Sequence, residues 1–378
     1  MQGLRYLAIA TLLFTPAVTA SAQATPAGAD PRLEKLKTEA LTSVEGKAKM
    51  VQEIVDMLFS FGELGFQEFE TSKYLTGLLE QNGFKVERGV AGIPTAWVAK
   101  WGSGKPVISL GSDIDGIPQA NQKPAVGYRE AQIPFAPGHG EGHNSGQAVN
   151  IAAAIVVKQI MEREKIPGTL VLWPGVAEEQ LGTKAHLVRA GIFKDVDATI
   201  FTHVSSDLGV SWGTQGANAL ISAEFRFRGQ TAHSAGAPWR GKSALDAVLL
   251  MAQAWEMKRE HLELAQRSHY VIPDGGDQPN VVPQTASIWF YFRHLDYDRT
   301  LPMFEAARKM AEGAALMTDT KVDTVMIIGS AMDQHFNKSI AETMSKNIMR
   351  VGMPKWDNND ITLAKALQKE LGVRETGL

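Results

Sequence analysis

The sequence predicts an α/β protein of two domains, in which a ferredoxin-like domain is inserted into a larger domain built on a mixed sheet. Strand-like runs alternate with helical spacing over residues 33–212, which is typical of a sheet covered by helices on both faces. Residues 213–329 follow the order β-α-β-β-α-β of the ferredoxin-like split unit. Residues 330–378 return to helical spacing, so we expect them to be the second part of the first domain.

In the first domain, apolar spacing predicts helices that alternate with short apolar strands. The predicted helices span 47–59, 69–81, 148–161 and 183–189, and Asn82-Gly83 is a stop signal for the second of them. The predicted strands span 95–100, 107–111, 170–173 and 198–201. In sheets of this kind, binding sites lie beyond the carboxyl ends of the strands.

The inserted domain begins with a half-exposed antiparallel strand over residues 221–228. Apolar Ile221 and Phe225 alternate there with charged Glu224 and Arg226. Further strands are predicted at 269–272, 287–293 and 322–328, with helices at 243–260 and 301–315. A last helix is predicted at 361–371, beyond the inserted domain.

The composition narrows the classes of function. A chain of 378 residues with 44% hydrophobic content has enough apolar side chains for two cores. The net charge of −3 gives no reason to expect nucleic acid as a partner. There is no cysteine, which excludes disulfides, cysteine-ligated zinc and thiol nucleophiles.

Residues 1–22 are predicted to be a signal peptide. Arg5 precedes an apolar run over 6–18, and Ala20-Ser21-Ala22 fits a cleavage site. The run is too short to span a bilayer, although a buried N-terminal helix is an alternative interpretation. We therefore expect export to a bacterial periplasm, with no membrane contact after cleavage. Residues 23 to about 32, which follow the cleavage site, are expected to form a loose leader.

Carboxylates and imidazoles cluster after the predicted strand ends. Asp113 and Asp115 follow one strand, Glu178 and Glu179 another, and His203 a third. A glycine-rich stretch over 138–146 adds three more candidates: His139, Glu141 and His143. Imidazole and carboxylate form the ligand set of zinc or manganese, and a second carboxylate can act as the base in metal-assisted hydrolysis. A metallohydrolase is therefore the leading interpretation.

Each candidate has an ordinary structural alternative. A Glu-Glu pair can lie on a solvated turn, a histidine can be a hydrogen-bonded structural residue, and an aspartate can cap a turn. Asp113 and Asp115 are predicted either to join the metal site or to support its ligands. His139 is predicted to support the loop, His186 to lie on the surface, and Trp173 and Phe201 to lie in the core.

Several motifs in a fixed order resemble the metal-dependent aminoacylase and carboxypeptidase superfamily. The likeness is greatest to the branch with indole-acetyl-amino-acid hydrolases and bacterial p-aminobenzoyl-glutamate hydrolase. The motifs are GSDIDGIP at 111–118, GHN at 142–144, AEE at 177–179, FTH at 201–203, TAHSA at 231–235 and NVVP at 280–283 with Arg293. The resemblance implies a metallopeptidase-type catalytic domain with a paired metal site, and an inserted lid domain that also dimerises.

The resemblance also implies roles for individual residues. His143, Glu179 and His203 match metal ligands, and Glu178 matches the general base. His233 matches a lid histidine that enters the partner subunit's site and stabilises the oxyanion. Asn280 and Arg293 match groups beside the substrate carboxylate, for which a bidentate guanidinium is suited. Gly146 matches a residue at which the backbone comes close to the metal loop.

Two departures from the family pattern affect the metal. Glu141 stands where this branch has cysteine, and a carboxylate is a harder ligand, which shifts the expectation from zinc toward manganese or mixed metals. The family's last ligand histidine lies far downstream, whereas no histidine follows His335 here. Either the sequence is a fragment, or one metal lacks a ligand. We accordingly expect unequal metal affinities, with low solubility or weak activity.

The sequence therefore predicts a metal-dependent amidohydrolase that cleaves N-acyl or N-aroyl amino acids, for example aminobenzoyl-glutamate-like substrates. The metal ligands would be Glu141, His143, Glu179 and His203, holding two divalent ions, zinc or manganese, in each subunit of a homodimer. A dipeptidase or carboxypeptidase with the same site is an alternative. A dimeric binding protein without turnover is the alternative from another class.

Overall fold

We describe the protein from a computed structural model that covers residues 30–180, 182–205, 207–215 and 219–378. The predicted signal peptide, residues 1–22, lies outside the described residues. Helix α1 (Pro31–Glu45) begins in one compact unit, whose described part ends at Glu39, and the chain from Ala40 onward belongs to a second compact unit. Most of the predicted loose leader, residues 23 to about 32, also lies outside the described residues, and α1 begins at Pro31. No helix among the described residues is long and apolar enough to cross a membrane.

A five-stranded mixed sheet forms the centre of the first domain, as predicted. Its strands run in the spatial order β1-β2-β4-β3-β5. They are β1 (Lys85–Arg88), β2 (Trp97–Ser103), β3 (Val107–Asp113), β4 (Gly168–Gly175) and β5 (Ala198–Phe201). Strand β3 pairs in parallel with both β4 and β5, whereas β1 and β2 are antiparallel. The carboxyl ends of β3, β4 and β5 therefore meet at one edge of the sheet.

Four helices accompany this sheet. They are α2 (Ala48–Phe61), α3 (Phe69–Gln81), α4 (Gly146–Glu164) and α5 (Thr183–Arg189). Apolar side chains from these helices and the sheet form one core, which includes Leu58, Trp97, Ile151 and Trp173. Phe201 is 38% exposed, so its predicted place in the core was wrong. It is the last residue of β5 that pairs with β3, where the sheet edge opens toward solvent.

The inserted domain has the predicted order β-α-β-β-α-β. Its elements are β7 (Ala219–Arg228), α6 (Ala244–Arg259), β8 (Arg267–Asp274), β9 (Thr285–His294), α7 (Leu301–Met317) and β10 (Lys321–Ala331). The four strands pair antiparallel in the order β10-β7-β9-β8. Phe225, Phe290, Phe292 and Trp255 pack together between the sheet and the two helices, which explains the two-residue alternation in the sequence.

Two short strands and two helices lie outside the sheets of the two domains. Strand β6 (Gly213–Gln215) pairs antiparallel with β11 (Gln334–Phe336), so the two chain crossings between the domains lie side by side. Helices α8 (Lys338–Val351) and α9 (Asn358–Glu370) follow. The predicted domain boundaries at 212/213 and 329/330 fall near these crossings, but they stay predictions.

Candidate metal centre

The candidate ligands are grouped at the edge where β3, β4 and β5 end. One oxygen or nitrogen atom each of Glu141, His143 and Glu179 lies within 4.8 Å of the others, and the same holds for Asp113, His143 and His203. The two groups share His143. The structure thus brings together the four predicted ligands and adds Asp113, and their role as ligands stays a prediction. Together we name these five residues the metal centre.

Two histidine rings face each other within the metal centre. The Nε2 atoms of His143 and His203 are 3.2 Å apart. The Nδ1 atom of His143 lies 3.0 Å from the carbonyl oxygen of Asp115, and that of His203 lies 2.7 Å from the carbonyl oxygen of Val204. A carbonyl oxygen can only accept, so each Nδ1 carries the proton. When both rings are neutral, their Nε2 atoms have lone pairs that point into the same space.

The carboxylates of the metal centre crowd negative charge into a partly buried region. Burial and the charge of Glu141 raise the pKa of Glu179 to about 7. Burial also raises the pKa of Glu178 and of Asp113, although the ammonium of Lys184 opposes both shifts. The Oε1 atom of Glu179 is buried without a hydrogen-bond partner among the described residues. Mixed nitrogen and oxygen donors, excess negative charge and an unpartnered carboxylate oxygen fit a divalent cation.

The same electrostatics act on His143. Burial opposes its charge, but a hydrogen bond with Asp115 and the charges of Asp113, Asp115 and Glu179 together raise its pKa to about 9. The Nδ1 atom lies 3.3 Å from the Oδ1 atom of Asp115. The surroundings of this ring therefore favour a positive charge at its free nitrogen.

Glu178 and Glu179 lie on a turn after β4, residues 176–180, which we name the glutamate turn. The amide of Glu179 donates to Oδ2 of Asp115 at 3.0 Å, and the hydroxyl of Thr183 donates to the carbonyl of Val176. Because Asp115 also contacts His143, its carboxylate ties two candidate ligands together.

Gly146 opens helix α4 directly after the glycine-rich stretch. A Cβ atom at this position would overlap the hydroxyl of Ser112 and lie 2.9 Å from the carbonyl oxygen of Thr202. Only glycine lets the start of α4 lie this close to the ends of β3 and β5. This close packing fixes the loop that carries Glu141 and His143.

Lys184 is a site residue that the sequence did not reveal. Its Nζ atom lies 2.7 Å from Oδ1 of Asp113 and 3.9 Å from Oε1 of Glu178, and 4.5 Å from the centre of the Phe201 ring. A lysine in the first turn of a helix has the sequence signal of a solvated side chain, and only the tertiary fold brings it to the carboxylates.

His139 supports the loop, as the sequence predicted. Its Nε2 atom lies 3.0 Å from the carbonyl oxygen of Leu58 in α2. Burial lowers its pKa, so the ring is neutral and donates to that carbonyl. This contact anchors the glycine-rich stretch to the helix layer.

The inserted domain reaches the metal centre through Tyr291 on β9. Its hydroxyl donates to the carbonyl oxygen of Glu179 at 2.7 Å, and burial raises its pKa to about 12. The guanidinium carbon of Arg293, the next residue on this face of the strand, lies 5.2 Å from the centre of the Tyr291 ring. The predicted carboxylate-binding Arg293 therefore lies beside the tyrosine that contacts the glutamate turn. Tyr291 itself was not predicted.

His233 and Asn280 lie together on neighbouring loops of the inserted domain. His233 forms an isolated bridge with Val281, and the amide of Ser234 donates to the carbonyl of Asn280 at 3.0 Å. The Nδ1 atom of His233 accepts from the amides of Ala235 and Gly236, so Nε2 carries the proton and is a donor. His233 is exposed and is not among the described side chains that surround His143.

Comparison with known proteins places this geometry in a family. Residues 216–324 match the peptidase dimerisation domain of the M20 family. Over 331 residues the chain is 34% identical to a subunit of the p-aminobenzoyl-glutamate hydrolase of Escherichia coli, covering 87% of this chain and 68% of that protein. The chain belongs to the M20 family of peptidases and amidohydrolases. It is therefore a hydrolase that acts on amide bonds, and the resemblance drawn from its motifs is confirmed.

Other M20 relatives agree with this assignment. The chain is 26% identical to a mouse Xaa-Arg dipeptidase, over 85% of this chain and 73% of that protein. The crystal structure of the aminobenzoyl-glutamate utilization protein of Klebsiella pneumoniae superposes with a TM-score of 0.65 at 19% identity, over 89% and 90% of the two chains. That superposition confirms the fold, a mixed-sheet domain with an inserted domain.

Proposed function

We propose that this M20 hydrolase cleaves the amide bond of an N-acyl or N-aroyl amino acid, with divalent metal held by Glu141, His143, Glu179 and His203. The observation that carries the proposal is the pair of imidazole Nε2 atoms facing each other at 3.2 Å, each with its proton directed away. Two lone pairs at this distance repel unless a positive charge, either a metal ion or a proton on one ring, lies between them, and the pKa of His143, raised to about 9, shows that its surroundings favour such a charge. The neighbouring carboxylates supply the oxygen ligands.

The proposed cofactor is a pair of divalent ions in each subunit, zinc or manganese. When bound, such ions polarise the scissile carbonyl and make water a stronger nucleophile. Glu141 in place of a thiolate favours the harder ion, manganese. Asp113, which lies with His143 and His203, is a further carboxylate within reach of the ions.

Glu178 is the proposed general base. It lies beside Glu179 but outside both ligand groups, and burial raises its pKa above that of an exposed glutamate, which makes the carboxylate a stronger proton acceptor. In this proposal Glu178 takes a proton from the attacking water and passes it to the nitrogen of the leaving amine. Lys184, 3.9 Å away, keeps the carboxylate from being protonated too readily.

The inserted domain is proposed to bind the substrate. Arg293 and Asn280 would hold the carboxylate of the amino acid, because guanidinium and amide groups donate in matched geometry. His233 would donate from Nε2 to the oxyanion of the tetrahedral intermediate in the partner subunit. The role of His233 in the partner subunit's site requires a homodimer that forms through the inserted domain. The match of residues 216–324 to a dimerisation domain supports such a dimer.

Hydrolysis assays distinguish this function from its alternatives. We expect the purified protein, with manganese or zinc, to release the amino acid from p-aminobenzoyl-glutamate or another N-aroyl amino acid. Faster cleavage of dipeptides would favour the dipeptidase, for which the mouse relative is the support. Tight metal and ligand binding without turnover of either class would favour a binding protein. For localisation we propose export to the periplasm, which detection of a precursor shortened by about 22 residues would test.

A further inference from the structure

A buried carboxylate outside the metal centre contacts the glutamate turn. Glu68 lies at the start of α3 and is 0% exposed. Its Oε1 atom accepts a hydrogen bond from the amide of Ala177 at 2.7 Å, and its Oε2 atom accepts from the hydroxyl of Thr95 at 2.8 Å. None of the roles proposed above uses Glu68. Burying a carboxyl group is costly, so its place beneath this turn calls for an explanation.

The residue that Glu68 contacts has an unusual backbone conformation. Ala177 has φ of 49°, in the left-handed region that a residue with a Cβ atom adopts only at a cost of about 1 kcal/mol. Ala177 immediately precedes Glu178 and Glu179. If its conformation relaxed to a common one, both carboxylates would point elsewhere, because the rotation would act directly on the following residues.

Close packing leaves little room around this contact. A Cβ atom at Gly65 would lie 2.8 Å from the Cα of Ala177 and 2.9 Å from its Cβ. Beyond Ala177, the amide of Glu179 is held by Asp115. The glutamate turn is therefore held at Ala177 by Glu68 and at Glu179 by Asp115, and Asp115 also contacts a candidate ligand whereas Glu68 does not.

We propose that Glu68 is a positioning residue, which holds Ala177 in its left-handed conformation so that Glu178 faces the substrate and Glu179 faces the metal. This inference rests on the proposed function for its catalytic consequence. The hydrogen bond itself and its effect on the turn do not depend on any particular substrate.

Two substitutions at Glu68 separate the hydrogen bond from the charge. Glu68→Gln keeps an oxygen that accepts from the amide of Ala177 and a second group that can bond the hydroxyl of Thr95. Glu68→Met has a similar volume but accepts no strong hydrogen bond. We expect Glu68→Met to lower kcat by roughly 10–100-fold with KM changed less than about threefold, and to weaken binding of manganese. Glu68→Gln should restore most of kcat.

A readout without substrate keeps the two proposals apart. Hydrogen exchange of the metal-free protein should be at least about tenfold faster at the amide of Ala177 in Glu68→Met than in the wild type, and near normal in Glu68→Gln. If no substrate is turned over, the proposed function fails, while exchange and manganese titration still test Glu68.

The matched control is Glu63, which lies in the same loop between α2 and α3 as Glu68 does. Its carboxylate accepts from the amides of Glu70 and Thr71 and so caps α3 without touching the glutamate turn. Glu63→Ala should lower the melting temperature without faster exchange at Ala177. The proposal is overturned if Glu68→Met exchanges at the wild-type rate there, or if Glu68→Gln is as impaired as Glu68→Met. If Glu68→Met does not fold, Glu68→Ala takes its place in the same measurements. The results that support or overturn the proposal are then those stated for Glu68→Met.

Discussion

The Nε2 atoms of His143 and His203 face each other at 3.2 Å, although the two residues are separated by 60 positions in the chain. Each ring directs its Nδ1 proton to a main-chain carbonyl oxygen, so neither ring can donate to the other while both are neutral. The two lone pairs repel unless a metal ion or a proton on one Nε2 atom lies between the rings, and the raised pKa of His143 favours such a positive charge. The hydrogen bonds at the two Nδ1 atoms therefore orient both rings so that their Nε2 atoms face the site.

Removing either histidine should therefore remove metal. Elemental analysis of protein purified without chelator should give more than about half an equivalent per chain for the wild type, and clearly less for His143→Ala and His203→Ala. His186→Ala, an exposed histidine of α5, is the control and should bind as the wild type does. Unchanged metal content in both His143 and His203 variants would show that the site is elsewhere.

The two adjacent glutamates should have separable roles. Glu178→Gln should keep its metal and lose turnover by roughly a hundredfold or more, because it removes only the proton carrier. Glu179→Gln should lose metal as well, since the unpartnered Oε1 atom is a candidate ligand. Metal content and kcat are measured on the same preparations. Equal metal loss in the two variants contradicts this division.

Mixed dimers should test the role of His233 across the subunit interface. An equal mixture of inactive His233→Ala and Glu178→Gln subunits should recover about a quarter of wild-type activity, because half of the dimers are mixed and each has one intact site. Subunit exchange is verified beforehand by mass spectrometry of the intact dimers. No recovery after verified exchange would place His233 in its own subunit's site or outside catalysis.

Substituting two glycines, Gly65 and Gly77, should affect different properties of the protein. Gly65→Ala places a Cβ atom 2.8 Å from the Cα of Ala177, so it should displace the glutamate turn and reduce both metal binding and kcat. Gly77→Ala, in the middle of α3, meets no atom within 4 Å and should stabilise the fold by about 0.5–1 kcal/mol. Urea unfolding and metal titration measure the two effects. Equal metal affinity in both variants would mean that the turn tolerates displacement.

Stability should depend on pH through Glu68. Burial raises its pKa from 4.5 to about 7, so between these values the folded protein holds a proton that the unfolded chain has lost. The resulting stabilisation is full below pH 4.5 and is lost as pH rises through 7, by at most about 3 kcal/mol. Of the neighbouring acidic groups, Asp115 contributes to this shift.

The glutamine side chain of Glu68→Gln does not ionise, so this variant resembles the protein with a protonated Glu68 at every pH. Relative to the wild type, the variant should therefore gain stability between about pH 5 and pH 8. The measurement is urea unfolding of both proteins in the presence of chelator at each pH. The prediction is contradicted if the difference in free energy of unfolding between the two proteins is the same at every pH.

The sequence was sufficient to predict most of the elements. The bounds of α3 and α5 were predicted to the residue, and the order of the inserted domain was correct. These features follow from apolar periodicity and stop signals, which are local properties of the chain. Strand β1 was missed, because Lys85–Arg88 has the polar composition of a loop and is a strand only through its pairing with β2.

The candidate ligands were also found from sequence, because few residue types bind a divalent metal and they followed predicted strand ends. Their role stays a prediction, whereas the family is shown by the comparisons.

Only the tertiary structure decided which other side chains belong to the site. Lys184 and Asp113 are 71 positions apart, Glu68 and Ala177 are 109 apart, and Tyr291 and Glu179 are 112 apart. In sequence, a helical lysine, a glutamate beside a helix start and a tyrosine on a strand each have the pattern of an ordinary surface or core residue. Sequence alone determined most of the helices and strands and the chemical type of the ligands, because these depend on neighbours along the chain. The contacts that orient the ligands depend on the packing of distant segments, which no local pattern records.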